Sequence, residues 1–142
     1  MSFYVMDQVA VEESGTGSPV VCVHGLGGSS NTWSAMQHEL SAHRLIRIDL
    51  PGSGRSELPK EELSMAFFLE CLQTICKRLG VSQAQWLGHS MGTIVCQHLA
   101  VTAPSLVKSM VLFGPRVEPP EAAREGIRAR AEKVKFGGLQ GL

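Results

Sequence analysis

A serine flanked by glycines at two-residue spacing stands at Gly88-His89-Ser90-Met91-Gly92, a G-x-S-x-G pentapeptide. Its flanks decide what it could do. Gln85-Trp86-Leu87-Gly88 reads as a short buried strand, and Ser90 to Ala103 reads as a helix ended by Pro104. The serine therefore falls on a strand-to-helix turn. A sharp turn of that kind holds the residue in a strained conformation with its hydroxyl exposed, and glycines two positions either side let neighbouring backbone pass without Cβ clashes. A helix starting there points free N–H groups and its positive dipole end at any negative charge developing nearby. The chemistry this suits is acyl transfer, with the hydroxyl of Ser90 attacking a carbonyl carbon.

A second glycine-rich block, His24-Gly25-Leu26-Gly27-Gly28, follows the apolar run Val20-Val21-Cys22-Val23. A loop there can turn the backbone N–H of Leu26 toward the same point as the N–H of Met91, and two such donors make an oxyanion hole. The block has neither GxGxxG spacing nor a GK[ST] ending, which argues against a nucleotide phosphate as its ligand. His24, Gly25, Trp33 and His89 are the candidate pocket residues, Trp33 being a core candidate as well. Asp49, in Asp49-Leu50-Pro51-Gly52-Ser53-Gly54-Arg55-Ser56, reads as a structural carboxylate that satisfies loop amides.

A serine hydroxyl is a poor nucleophile without a base, and the base needs a partner to hold its tautomer. The chain has two aspartates, Asp7 and Asp49, both before Ser90, and of its five histidines only His98 follows. Eight residues of helix rise about 12 Å, against about 3 Å for proton abstraction, so His98 reads as a locally packed helix residue. The ring of His89 is expected to point away from the hydroxyl. His38 and His43 bracket the end of a surface helix and read as solvated, as do Glu118, Glu121, Glu125 and Glu132 in the hinge and charged helix that follow.

The elements that must position these groups alternate. Gln8 to Glu13 reads as an edge strand, Pro19 to Val23 as a buried strand, and Thr32 to Leu40 as a helix with Trp33, Met36 and Leu40 on one face. Leu45 to Asp49 is the next strand. Ser64 to Leu79 is the clearest helix, capped by Ser64 and followed by Gly80, with Met65, Phe68, Leu69, Leu72, Ile75, Cys76 and Leu79 as its apolar stripe. Val107 to Phe113 reads as a further core strand. Pro115, Pro119 and Pro120 form a hinge, and Glu121 to Lys135 a charged helix with a thin apolar stripe. Strands alternating with helices imply an α/β fold with a parallel sheet and right-handed crossovers.

Composition narrows the rest. The 142 residues suit one ordinary domain, and 13 Lys+Arg against 13 Asp+Glu leave no basic surface for nucleic acid. No apolar run approaches the ~20 residues of a membrane span, and no basic n-region opens a secretory signal. Cys22, Cys71, Cys76 and Cys96 form no CxxC pair and no metal-ligand spacing, which points to a reducing, cytoplasmic compartment and to no metal or cofactor.

Taken in order, His24 to Trp33, Asp49 to Ser56 and Gly88 to Gly92 resemble the α/β-hydrolase superfamily, and in finer detail its 3-oxoadipate enol-lactonase and esterase branch. The passage from Val111-Leu112-Phe113-Gly114-Pro115 into Pro119-Pro120-Glu121 is similar to that branch's entry into a helical cap. The resemblance implies a mostly parallel twisted sheet with helices on both faces. It makes Ser90 the nucleophile, Leu26 and Met91 the oxyanion donors, and His24 a structural residue near their loop. It implies a small-molecule ester or lactone substrate. Relatives of this kind place the acid and histidine after the nucleophile, where this sequence offers neither. We therefore expect residues 1–115 to be the N-terminal portion of a hydrolase core and 116–142 the start of a cap. The C-terminal half, from the same parent chain or a separate one, would then supply His and Asp. The other readings are a non-catalytic small-molecule sensor or partner subunit, and a cofactor-free peroxidase or C–C hydrolase.

Overall fold

The apolar run Pro19–Val23 (β3) lies in the middle of a six-stranded sheet, because every face and edge of it is covered. It pairs in parallel with Arg44–Ile48 (β4) on one side and Ala84–His89 (β5) on the other. The computed structural model describes residues 1–115 and 120–137. The remaining strands are Ser2–Met6 (β1), Val9–Ser14 (β2) and Val107–Phe113 (β6), and the order is β1-β2-β4-β3-β5-β6. β1 and β2 are antiparallel, β2 runs antiparallel to β4, and the other pairs are parallel.

Alternation along the strands sorts two apolar layers. Val21, Val23, Ile46, Ile48 and Trp86 face the helices Met65–Arg78 (α1) and Met91–Thr102 (α2), through Leu72, Ile75, Val95 and Leu99. Val20, Cys22, Leu45 and Leu87 face the other way, onto Trp33, Met36 and Leu40. α1 forms as its stripe requires. The Ser64 hydroxyl accepts from the Phe67 N–H, Lys77 and Arg78 complement the dipole in its last turn, and Gly80 leaves it at φ +67°.

Two expectations change. The segment expected as a helix over Thr32 to Leu40 is a 3₁₀ helix at Ser30–Met36. Its buried residues, Ser30 and Trp33, are three apart, and a turn of three residues eclipses them on one face. The strand expected at the edge over Gln8 to Glu13 is β2 and lies inside the sheet, because β1, which has no counterpart in the sequence reading, pairs outside it. Phe3 and Val5 point to solvent, and the two-residue turn Asp7-Gln8 takes φ of +47° and +70° without a glycine, so neither period nor turn residue marks the hairpin. β6, at the other end, is an edge strand of the described sheet and leaves Val111 and Phe113 exposed. The charged helix forms at Glu121–Gly137 (α3) and is exposed over most of its length. Pro119 and Glu118 of the hinge, and residues 138–142, lie outside the described residues.

Candidate functional site

Ser90 sits between the end of β5 and the start of α2 with φ +51° and ψ −115°, a conformation that costs a non-glycine residue on the order of 1–3 kcal/mol. Its backbone is pinned on both sides. Its N–H donates to Phe113 O at 3.0 Å, and its C=O accepts from the Thr93 N–H at 3.0 Å and the Thr93 hydroxyl at 2.6 Å. The glycines are required by close crossings. A Cβ on Gly92 would lie 2.2 Å from Val23 O, and one on Gly88 would lie 2.7 Å from Gly92 O. The side of the turn that carries the Ser90 hydroxyl is exposed.

The loop after β3 closes against this turn. A Cβ on Gly25 would fall 2.9 Å from Ser90 Cβ and 3.3 Å from His89 Nδ1, so only glycine lets the Gly25–Leu26 peptide lie beside the serine. The Gly28 N–H donates to Gly25 O at 3.0 Å across a tight turn, with Gly27 at φ +73°. Neither the Leu26 N–H nor the Met91 N–H finds a protein acceptor among the described residues. Two backbone donors from different loops thus remain available next to one exposed hydroxyl.

His24 is not a free pocket group, which corrects its place among the candidate lining residues. It is fully buried beneath the loop, with Nδ1 2.7 Å from Gly25 O and Nε2 accepting from the Leu50 N–H at 2.9 Å. Since a backbone N–H can only donate, Nε2 carries no proton and Nδ1–H donates to Gly25 O. His89 is exposed, with its ring beside Gly25. Trp33 is buried in the second apolar layer, its ring edge-on to Phe113 at 5.9 Å, and its Nε1 has no partner among the described residues. Its contact with the site is indirect, through the residue whose carbonyl holds the Ser90 N–H. Phe113 was not singled out in the sequence; its register opposite His89 is the signal that could have found it.

Asp49 has the structural role expected. It is fully buried and accepts from the Ser30 N–H at 2.5 Å, the Arg55 N–H at 3.0 Å and Arg55 Nε at 3.1 Å. Burial alone would raise its carboxyl, but the donors from Ser30 and Arg55 outweigh it and hold the group below the usual aspartate range. Gly54, at φ +56°, passes so close that a Cβ there would sit 2.6 Å from Asp49 Cγ. Arg55 also reaches Glu12 at 2.7 Å and the Ser30 hydroxyl at 2.8 Å, and Glu12 pairs with buried Arg47. These groups tie the loop after β3 to the loop after β4.

Among the described residues no histidine hydrogen-bonds Ser90, although His89 is exposed beside it. His38 and His98 are exposed on the surface, His98 two turns along α2. His43 is not solvated as expected: it is half-buried, and its Nδ1 has no partner among the described residues. Among the described residues, no three His, Cys, Asp or Glu side chains gather as metal ligands. The four cysteines are free, and burial pushes the Cys22 and Cys96 thiols up to about 12 and that of Cys76 to about 11. A groove of about 310 Å³ between the β1–β2 turn and α1, lined by Asp7, Phe67 and Cys71 among others, does not include Ser90.

A mostly parallel sheet with an antiparallel hairpin at one edge, carrying an exposed, strained serine between a strand and a helix, defines the α/β-hydrolase class of architecture. The chain belongs to that family: residues 18–136 match the alpha/beta hydrolase fold. It is 33% identical over 132 residues to the (E)-2-((N-methylformamido)methylene)succinate hydrolase of Acinetobacter baylyi, covering 89% of this chain and 49% of that protein. It is 33% identical over 137 residues to a Mycobacterium tuberculosis protein named as a candidate non-heme bromoperoxidase, BpoC, covering 93% and 51%. A thermophilic esterase from Thermogutta terrifontis superposes with a TM-score of 0.83 at 32% identity, over 92% of this chain and 48% of the esterase. The chain spans about half the length of the curated relatives it matches. Among the described residues, no helix is long and apolar enough to cross a membrane.

Proposed function

We propose that the protein is a serine hydrolase of a carboxylic ester or lactone, in which Ser90 is the nucleophile and the Leu26 and Met91 amides form the oxyanion hole. The observation that carries this reading is the Ser90 backbone at φ +51° and ψ −115°, pinned by Phe113 and Thr93 with its hydroxyl side exposed. Ser90 Oγ attacks the carbonyl carbon as a histidine takes its proton. The tetrahedral oxyanion accepts the two N–H groups, the leaving oxygen takes the proton back, and water hydrolyses the acyl-enzyme. The histidine and its carboxylate come from the length of the relatives that this chain does not span, on the same parent chain or a separate one. The four free thiols suit a reducing, cytoplasmic setting.

The test is intact-mass analysis of the full-length protein after a fluorophosphonate, beside Ser90→Ala, with turnover of an aryl ester measured on both. One adduct and ester turnover, both abolished by Ser90→Ala, are expected. Equal labelling or turnover of the variant would overturn the assignment. Among the described residues no histidine hydrogen-bonds Ser90, which favours a second reading, a small-molecule binding protein on the same fold. Ligand-dependent melting shifts without turnover would support that alternative.

A further inference from the structure

Resting on the reading of Leu26 as an oxyanion donor, we propose that His24 is a positioning residue that aims the Leu26 N–H at the site through the carbonyl of Gly25. The peptide linking Gly25 to Leu26 is trans, so its C=O and N–H point in opposite directions in one plane. Fixing the oxygen therefore fixes the hydrogen. Gly25 O is held by two donors, His24 Nδ1–H at 2.7 Å and the Gly28 N–H at 3.0 Å. The imidazole is itself held from behind, because Nε2 accepts from the N–H of fully buried Leu50 at 2.9 Å. The relay runs from the Leu50 amide through one neutral imidazole tautomer to the Gly25 carbonyl, and its far end is the Leu26 amide beside Ser90.

The other end of the same loop is fastened to the neighbouring residue of β4's exit. Asp49 takes the Ser30 N–H at 2.5 Å, so residues 24 and 30 are anchored to residues 50 and 49. Between these anchors, Gly27 and Gly28 provide a turn rather than rigidity, and Leu26 is exposed. A loop rich in glycine would not by itself keep one N–H pointed at a site. The histidine proton supplies the missing constraint. Protonation of Nε2 would set two donors face to face with the Leu50 N–H, so the neutral Nδ1–H form is the one that both neighbours select.

Two substitutions separate aiming from simple support. In His24→Gln, the side-chain oxygen can reach the place of Nε2 and keep the Leu50 N–H paired, but no side chain donates to Gly25 O, which keeps only the Gly28 N–H. In His24→Asn, the shorter amide can donate to Gly25 O from the place of Nδ1 and leaves Leu50 unpaired. On the full-length protein, aiming predicts that His24→Gln lowers kcat for an aryl ester by about tenfold to a hundredfold with KM within about twofold, below the cost of deleting a donor outright. It predicts that His24→Asn restores most of that rate while melting at a lower temperature than His24→Gln. A merely supporting histidine gives the reverse order, with rate following melting temperature, and would overturn the proposal.

A readout without turnover keeps this independent of the hydrolase reading. Nitrogen shifts of the wild-type imidazole should show the neutral ring protonated at Nδ1. The residual dipolar coupling of the Leu26 N–H should agree between wild type and His24→Asn and differ in His24→Gln, with the α1 couplings unchanged in all three. A ring protonated at Nε2, or a Leu26 coupling indifferent to His24→Gln, defeats the aiming role whether or not Ser90 reacts. Conversely, couplings that follow this pattern in a protein whose Ser90 neither labels nor turns over would sink the hydrolase reading and leave the relay standing.

Discussion

Replacing Asp49 with asparagine tests whether the loop beside Ser90 is held by a carboxylate clamp. The carboxylate uses one oxygen for the Ser30 N–H and the other for the Arg55 N–H and Nε–H. Asparagine keeps one acceptor and puts an NH₂ in place of the other. The better of its two orientations leaves the oxygen on Arg55, where it satisfies two donors, and turns the NH₂ toward Ser30. The cost then has two parts. The buried Ser30 N–H loses its acceptor, on the order of 1–3 kcal/mol, and the bonds to Arg55 lose the charge on the acceptor side. Arg55 is about half exposed and still reaches Glu12, so its charge is not stranded, and the total falls toward the lower end of the 3–5 kcal/mol typical of a broken buried pair. About 3 kcal/mol, or roughly 10 °C in melting temperature for a chain of this size, is the expected loss. Calorimetry at neutral pH on wild type and Asp49→Asn measures it, with Asp7→Asn as a control. Asp7 bridges Arg78 at 2.7 Å with both side chains about half exposed, so its loss should cost less than about 1 kcal/mol. Equal melting of wild type and Asp49→Asn would refute the clamp.

Acid should remove the same interaction. Asp49 and Glu13 are both held below the usual carboxylate range, Asp49 against its burial by Ser30 and Arg55, Glu13 first by the bond from Arg44. Their contribution is therefore whole above the unfolded value near pH ~4 and is lost as pH falls through the folded-state values; the gap between wild type and Asp49→Asn in urea unfolding should close over that range. Gly92→Ala puts a carbon 2.2 Å from Val23 O and 2.8 Å from His24 O, both backbone, so α2 must lift off β3. A loss of about 1–3 kcal/mol or more and a fall in Ser90 labelling greater than the folded fraction explains are expected, read by melting and fluorophosphonate kinetics. Cys22 and Cys96, with thiols near 12, hold roughly 10⁻⁵ of thiolate at pH 7 and should resist a disulfide reagent until the protein unfolds, whereas half-buried Cys71 should react first. Early modification of Cys22 in the native state would contradict that core.

Elements whose burial follows the backbone period could be read from the chain, and elements whose residues contradict it could not. β3, β4, α1 and α2 announce themselves because their apolar positions all face a layer. The stripe of α1 and its Ser64 cap lie where the sequence puts them. β1 is silent for the opposite reason: Phe3 and Val5 sit on the solvent side, with the Arg55 guanidinium over the Phe3 ring at 4.6 Å. The 3₁₀ segment at Ser30–Met36 departs from the expected helix because Trp33 and Met36, three apart, fit either period over so short a run. At the site, the glycine spacing around Ser90 and the structural use of Asp49 were legible, since each follows from what one residue type can do. The structural place of His24 came from the resemblance alone, and its contacts were not legible. One of its partners, Gly25 O, belongs to the next residue, but the other, the Leu50 N–H, comes from a second loop that no local pattern encodes.

That dependence on distant backbone extends to Ser90 itself. The pentapeptide supplies a residue small enough to be exposed and two glycines thin enough to cross, but the forces that hold the strained φ come from elsewhere in the sheet. β5 lies between β3 and β6, so the carbonyl of Phe113 reaches the Ser90 N–H from one neighbour while Val23 and His24 press on Gly92 from the other. Gly25 then closes the same corner from above β3. A G-x-S-x-G sequence without those two flanking strands would have no reason to keep its serine at φ +51°, and would relax into an ordinary turn at a gain on the order of 1–3 kcal/mol. The chemistry proposed for Ser90 is therefore a property of three adjacent parallel strands and the loops at their C-terminal ends.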